Sequence, residues 1–104
     1  MGTWRILNKV ESQTIANGAK WTIPSNGLST YTQYELSILV NGSGNHPAEL
    51  VHQSSTSTGY TGYHIEAGSV MKVGPVEVAD FPAIRASHGE IDAHVSYAII
   101  PQDI

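Results

Sequence analysis

Glycine, proline and Asn-Gly pairs interrupt this chain so often that few stretches are long enough for an α-helix. The sequence has 10 Gly and 5 Pro in 104 residues, and Asn-Gly occurs at residues 17–18, 26–27 and 41–42. Asn and Gly both tolerate positive φ, and the pair is the strongest two-residue signal for a β-hairpin. The punctuation therefore predicts short strands joined by tight turns, with the first Asn-Gly closing a hairpin between residues 14–16 and 19–23.

The uninterrupted segment Leu28–Asn41 is long enough for a helix, but its residues alternate. Apolar side chains occupy every second position, at Tyr34, Leu36, Ile38 and Val40. A period of two is typical of a half-buried strand. Residues 90–100 alternate in the same way, with Ile91, Ala93, Val95, Tyr97 and Ile99 expected to point inward and the residues between them outward.

Shorter apolar segments predict further strands at residues 4–11, 49–53, 69–73, 75–78 and 82–87. Seven to nine short strands separated by turns indicate an all-β, antiparallel β-sandwich or jelly-roll-like fold with no substantial helix. At this length we expect a single domain over residues 1–104. Trp4 and Ile38 are the expected core anchors, and residues 41–47 and 54–62 are the expected loops.

Charged residues are scarce. Five Lys or Arg and nine Asp or Glu make up 13% of the chain, against about 25% in ordinary soluble domains. The net charge of -4 argues against a nucleic-acid partner, and no apolar run approaches the roughly 20 residues of a membrane helix. No signal peptide is visible, and without cysteine neither disulfides nor thiolate metal sites can form. Because interface cores are depleted in charge, the composition favours a protein whose faces meet other subunits.

A polar row on the last predicted strand is the first candidate site: His88, Glu90, Asp92 and His94 occupy alternate positions. Side chains two apart on a strand share a face at roughly 6.6 Å spacing, and His with carboxylates suits zinc or another divalent ion. The plain alternative is a solvent-facing row, which the alternation predicts anyway, and Gly89 is a point where the register can break before Glu90. The row could also line a subunit contact, where His and carboxylate pairs would make assembly sensitive to pH.

Aromatic residues beside the polar segment 54–62 are the second candidate site. Tyr60, Tyr63 and His64 lie there, and Trp21 is a further ring that could join them. Rings stack on the apolar faces of sugars, so these residues are candidates for sugar or partner contacts. The alternative is that one tyrosine anchors the loop to the core. No Gly-x-Ser-x-Gly or other ordered triad motif and no phosphate-binding loop is present, so no catalytic residue and no cofactor is predicted.

Residues 65–100 carry a resemblance to a known group of proteins. They read IEAGSVMKVG, then FPAIRASHG, then EIDAHVSYAII: a turn opening an apolar strand, a strand ending in a small-residue turn, and a final alternating strand. This pattern resembles the C-terminal half of small all-β virion proteins of tailed bacteriophages. Residues 13–23, QTIANGAKWTI, resemble the opening hairpin of the same proteins.

The resemblance implies a non-enzymatic structural protein, a capsid decoration (cement) or head-fibre protein that forms a homotrimer. Its partners would be the major capsid protein or other virion subunits, with no nucleic acid and no membrane, and it would stabilise the shell. It would be made in the host cytoplasm and located on the capsid surface of the virion. The alternative function is a carbohydrate-binding, lectin-like β-sandwich module.

Overall fold

The computed structural model describes residues 5–56 and 62–100 of the chain. They form eight strands and one short 3₁₀ helix, which are β1 (Arg5–Ile15), β2 (Lys20–Thr22), β3 (Gln33–Asn41), β4 (Ala48–Val51), β5 (Tyr63–Ile65), β6 (Val70–Glu77), the 3₁₀ helix (Val78–Asp80), β7 (Ala83–Arg85) and β8 (Ile91–Ile100). Within these ranges no helix is long and apolar enough to span a membrane.

The eight strands pair as in one long antiparallel hairpin, the first strand with the last and so on inward. β1 pairs with β8, β2 with β7, β3 with β6 and β4 with β5, all antiparallel. Pairing of β3 with β8 and of β4 with β7 then joins these pairs into two sheets. The first sheet has the order β1-β8-β3-β6 and the second sheet has the order β2-β7-β4-β5. Eight strands in two such sheets are a jelly roll, so the predicted all-β, jelly-roll-like sandwich is confirmed.

The core lies between the two sheets and is built from alternate residues of β3 and β8 together with the inner face of the second sheet. Ile38 is fully buried, as predicted, whereas Trp4 lies outside the described residues. Three rings form the aromatic part of the core: the centroid of Phe81 is 5.9 Å from that of Tyr34 and 6.3 Å from that of Tyr97. The inward positions predicted for residues 90–100 are buried up to Tyr97, and Ile99 packs against the core while partly exposed.

The first Asn-Gly pair does not form the hairpin predicted for residues 14–23. β1 belongs to the first sheet and β2 to the second, so the turn at Asn17-Gly18 carries the chain from one sheet to the other. Gly18 has φ 85°, whereas Asn17 is not at positive φ. Positive φ at the second central residue alone is the type II pattern, while two-residue hairpins need type I′ or II′ turns that match the strand twist. Residues 26–27 make the same kind of crossing between β2 and β3.

β4 and β7 are buried on both faces, so they lack the alternation of buried and partly exposed residues that β3 and β8 show. The chain after β4 runs over the outer face of the second sheet. Lys20 Nζ donates to the carbonyl oxygens of Gln53 and Ser55, and Arg85 Nη2 donates to the same Ser55 carbonyl. We call residues 52–56 the covering segment. β5 was not predicted, because its three residues follow directly on the polar stretch 54–62.

Candidate functional site on the outer face of the first sheet

The outer face of the first sheet consists of its side chains that point away from the core. The described members are Val10, Ser12, Thr14, Gln33, Glu35, Ser37, Leu39, Asn41, Val70, Lys72, Glu77, Asp92, His94, Ser96, Ala98 and Ile100. Asp92 lies at one end of the face and Glu35 and Glu77 lie toward the other, whereas Lys72 lies on the edge strand β6 in the same row as Ser37 and Ser96, with its Nζ 3.7 Å from Glu35 Oε1. The side chains that line the centre of the face carry no formal charge while His94 is neutral.

A shallow apolar depression of about 250 Å³ lies in the centre of this face. Val10 on β1 and Val70 on β6 stand at its sides and are 65% and 60% exposed. Between them the central strands contribute Leu39 and the small side chains of Ser37 and Ser96. Valines on the two edge strands and serines on the two central strands make the face concave and largely apolar.

A hydrogen-bonded ladder crosses three strands beside the depression. Ser12 lies opposite His94 in the β1–β8 register, and its Oγ is 2.8 Å from His94 Nδ1. On the other side, His94 Nε2 is 3.0 Å from Asn41 Oδ1 on β3. A carbonyl oxygen only accepts, so Nε2 carries the proton and the lone pair of Nδ1 accepts the Ser12 hydroxyl proton. The ladder therefore holds His94 in one tautomer.

A second hydrogen bond on the same face joins β1 to β8, between Thr14 and Asp92. The two residues are register partners, and the Thr14 hydroxyl donates to Asp92 Oδ1 at 2.7 Å. The Asp92 carboxylate is therefore held by β1 in the same way as the His94 ring.

Only two of the four residues in the predicted polar row lie on one face of a strand. Asp92 and His94 point outward from β8 as expected, but β8 begins at Ile91, so His88 and Glu90 precede it. A Cβ at Gly89 would overlap the ring of His46, so the His46 ring packs directly on the backbone where the row would continue. Within residues 5–56 and 62–100, no group of three or more His, Asp or Glu is placed to hold a metal ion.

The predicted aromatic site is not brought together as a whole. Tyr63 is 76% exposed on β5, and His64 beside it points to the opposite face of the second sheet. Trp21 lies on β2, at the other edge of that sheet, and packs partly against the core. Tyr60 lies outside the described residues. Tyr63 and His64 thus stay a predicted contact site, with Trp21 three strands away.

A row of charged residues across the second sheet was missed. Lys20, Arg85, Glu49 and His64 are successive register partners on its outer face. Glu49 and Arg85 are only 2% and 5% exposed, and in the described structure both carboxylate oxygens of Glu49 are buried without a hydrogen-bond partner. No local pattern in the sequence indicates this burial, because a charged residue on a short strand normally faces solvent.

Comparison with known proteins adds little to this geometry. No family model and no curated protein matches the chain. Among solved structures, a chain described by the words "Bacillus endospore appendages form a novel family of disulfide-linked pili" matches with 14% sequence identity and a TM-score of 0.46, over 97% of this chain and 93% of that one. The chain described here has no cysteine and so cannot form disulfide links. Nothing in these comparisons is specific to bacteriophage capsids.

Proposed function

We propose that this protein is a structural, non-enzymatic subunit that assembles through the outer face of its first sheet. In its more specific form, the proposal is a capsid decoration protein that trimerises and contacts the major capsid protein on the virion surface. The observation that carries the assembly proposal is the uncharged, concave centre of that face between the exposed Val10 and Val70. Large exposed apolar patches with polar surroundings are typical of protein interaction sites.

Two further features support this use of the face. The cores of interfaces are depleted in charge, and here Asp92 and Glu35 lie toward the ends of the face and Lys72 lies on its edge strand β6. The ladder from Ser12 through His94 to Asn41 occupies the polar atoms next to the depression. A partner could therefore cover the centre without leaving a charge buried and unpaired, which is the usual cost of docking.

The assembly proposal is tested by the mass of the protein in solution over a dilution series. We expect the wild-type chain to run as an oligomer, a trimer under the specific proposal, and Leu39→Lys to run as a single chain because it places a charge in the centre of the face. Tyr31→Lys is the matched control, since Tyr31 is 94% exposed and lies in the connection between β2 and β3. A wild-type chain that is single at every concentration contradicts the proposal.

The virion part of the proposal rests on the sequence resemblance and has its own test. A gene for a major capsid protein beside the gene for this chain would support it. Cosedimentation with the corresponding capsid shells, lost in Leu39→Lys and kept in Tyr31→Lys, would extend the same face to the capsid contact. A gene neighbourhood without virion genes contradicts it.

One observation favours a second candidate function, sugar binding. The ring of Tyr63 is 76% exposed at the edge of the second sheet, with the exposed His64 next to it. Exposed rings at such edges stack on sugars. A glycan array with the wild-type chain and with Tyr63→Ala tests this function: binding that Tyr63→Ala removes supports it, and an array without binding rejects it.

A further inference from the structure

We propose that Ser12 is an activated nucleophile, with His94 as its general base and Asn41 as the residue that positions the base. The inferred reaction is acylation of Ser12 by activated esters that carry a short apolar acyl group. It goes beyond the proposed function, because assembly requires no reactive group. The three residues come from three neighbouring strands, β1, β8 and β3, and no motif in the sequence joins them.

The distances are those of a nucleophile and its base. Ser12 Oγ is 2.8 Å from His94 Nδ1, and His94 Nε2 is 3.0 Å from Asn41 Oδ1. A hydroxyl within about 2.6–3.2 Å of a base that a third group orients is the general signature of an activated nucleophile. Asn41 Oδ1 accepts a hydrogen bond from the Nε2–H of His94, which leaves the Nδ1 lone pair directed at Ser12. The tautomer is therefore the one in which His94 removes the hydroxyl proton.

A second serine–histidine pair in the same chain shows what the orienting residue adds. His52 Nδ1 is 2.7 Å from Ser54 Oγ, but it also accepts the backbone N–H of Ser54 at 3.1 Å. The lone pair of His52 that would take the hydroxyl proton is already engaged, and no third side chain among the described residues holds its other ring nitrogen. We therefore expect Ser54 to react as an ordinary serine.

The substrate class follows from the neighbouring depression. Ser12 lines a separate depression with Gln13, Thr14, Asp92 and His94, and His94 also lines the apolar depression of about 250 Å³ formed with Val10, Leu39 and Val70. An acyl chain lying there would bring its carbonyl carbon toward the ladder, whereas a charged acyl group would lose its hydration without gaining a partner. A short, uncharged acyl chain fits this surface best.

The step is balanced without any further reactant. The Ser12 Oγ–acyl bond forms, the hydroxyl proton moves to His94 Nδ1, the ester C–O bond breaks, and the leaving alcohol takes the proton from His94. Backbone N–H groups in a sheet lie in the plane of the strands, so this face offers no oxyanion hole of the usual kind. Asn41 also lacks the negative charge that stabilises an imidazolium. We therefore expect a single acylation per chain rather than rapid turnover.

The test uses the full chain and p-nitrophenyl butyrate, with the release of nitrophenol followed and the adduct located by peptide mass mapping. We expect one butyryl group on Ser12 in the wild type and none in Ser12→Ala. In His94→Gln we expect the rate of acylation to fall about 100-fold, which is the lower end of what a general base contributes. Ser54, Ser37 and Ser96 are the internal controls and stay unmodified. Butyryl groups spread over several residues, at a rate that His94→Gln does not change, would overturn the proposal.

Asn41 is tested by a readout that a purely structural role would not move. Asn41→Ala should lower the rate of Ser12 acylation, and Asn41→Asp should restore it or raise it above that of the wild type, because a carboxylate can only accept from Nε2 and also stabilises the imidazolium. Equal rates in the wild type and in both Asn41 variants would show that Asn41 does not position His94.

The outcome is separable from that of the proposed function. Assembly through the same face would cover Ser12, so the labelling is run across the dilution series used for the mass measurement. Labelling that rises as the oligomer dissociates supports both proposals. Labelling of a chain that is always single supports the nucleophile and contradicts assembly, and an oligomer that dissociates on dilution without Ser12 labelling refutes the nucleophile alone.

Discussion

The two sheets of this jelly roll treat their outer faces in opposite ways. The first sheet leaves its outer face open, with exposed valines, small polar residues and an uncharged centre. The second sheet carries a row of charged residues across its outer face and covers part of it with its own chain, because Lys20 and Arg85 bind carbonyl oxygens of the covering segment. The difference shows that the centre of the open face is left uncharged and uncovered. A partner or a reactive group can therefore act there.

The largest expected effect concerns the covered face. Arg85→Leu leaves the buried carboxylate of Glu49 without the opposite charge of its register partner. The two side chains make no hydrogen bond to each other in the described structure, but a buried charge that is left without a neighbouring opposite charge costs about 3–5 kcal/mol, and chemical denaturation should show this as a lower free energy of unfolding. The double variant Glu49→Leu, Arg85→Leu should recover most of the loss, because no unpaired charge is then buried. A loss below about 1 kcal/mol for Arg85→Leu would mean that the outer faces of the two sheets are energetically alike.

The next effect compares neighbouring residues of β3 that point to opposite faces. Ile38 is fully buried in the core, and Ile38→Ala should cost about 2–5 kcal/mol. Leu39 lies on the open face and is half-buried, so Leu39→Ala should cost about 1 kcal/mol. The midpoints of urea unfolding of the two variants give the comparison directly. Equal losses would show that the open face is covered in solution, as in a stable oligomer.

Strands β3 and β8 show which features of the sequence predict structure. The alternation of β3 and β8 decides which residues are buried, because a strand with one core face has only two possible orientations. The same rule fails for β4 and β7, since the covering segment buries their outer faces and erases the alternation. Asn17-Gly18 predicts a hairpin because Asn-Gly favours hairpin turns, but the pair also fits other turns, and only the placement of β1 and β2 in different sheets decides between them. The link from Ser12 to His94 and Asn41 depends on strand order, which local patterns do not contain.

Tyr97 tests how firmly the two sheets are joined. Its ring lies on the inner face of the first sheet, and its hydroxyl donates to the carbonyl oxygen of Pro24, just beyond β2, at 2.7 Å. Tyr97→Phe leaves that carbonyl without its donor and should cost about 1–3 kcal/mol. Calorimetric unfolding of the two proteins at pH 7 measures the loss, and an unchanged midpoint would show that water replaces the donor.

The same hydroxyl predicts a dependence on alkaline pH. Burial raises the pKa of Tyr97, and the negative charge of Glu11 raises this pKa further. The folded state therefore keeps the proton to higher pH than the unfolded chain, whose tyrosine pKa is about 10. The stabilisation is fully present below that value and is lost as the pH rises above it. The free energy of unfolding should fall more between pH 9 and pH 11 for the wild type than for Tyr97→Phe, and parallel curves would contradict this assignment.

The smallest expected effect returns to the open face and separates reactivity from stability. The Ser12–His94 hydrogen bond is exposed, whereas the bonds from Lys20 to the covering segment are partly buried. Water replaces an exposed bond readily, so Ser12→Ala should cost only about 0.5 kcal/mol, while Lys20→Met should cost about 1.5–3 kcal/mol as the loss of a charged donor. Thermal unfolding at pH 7 measures both. If Ser12→Ala destabilises the chain as much as Lys20→Met, the ladder is chiefly a structural clasp between β1 and β3. If the cost is small and acylation is abolished, the ladder contributes little to folding, and its main effect is on the chemistry of Ser12.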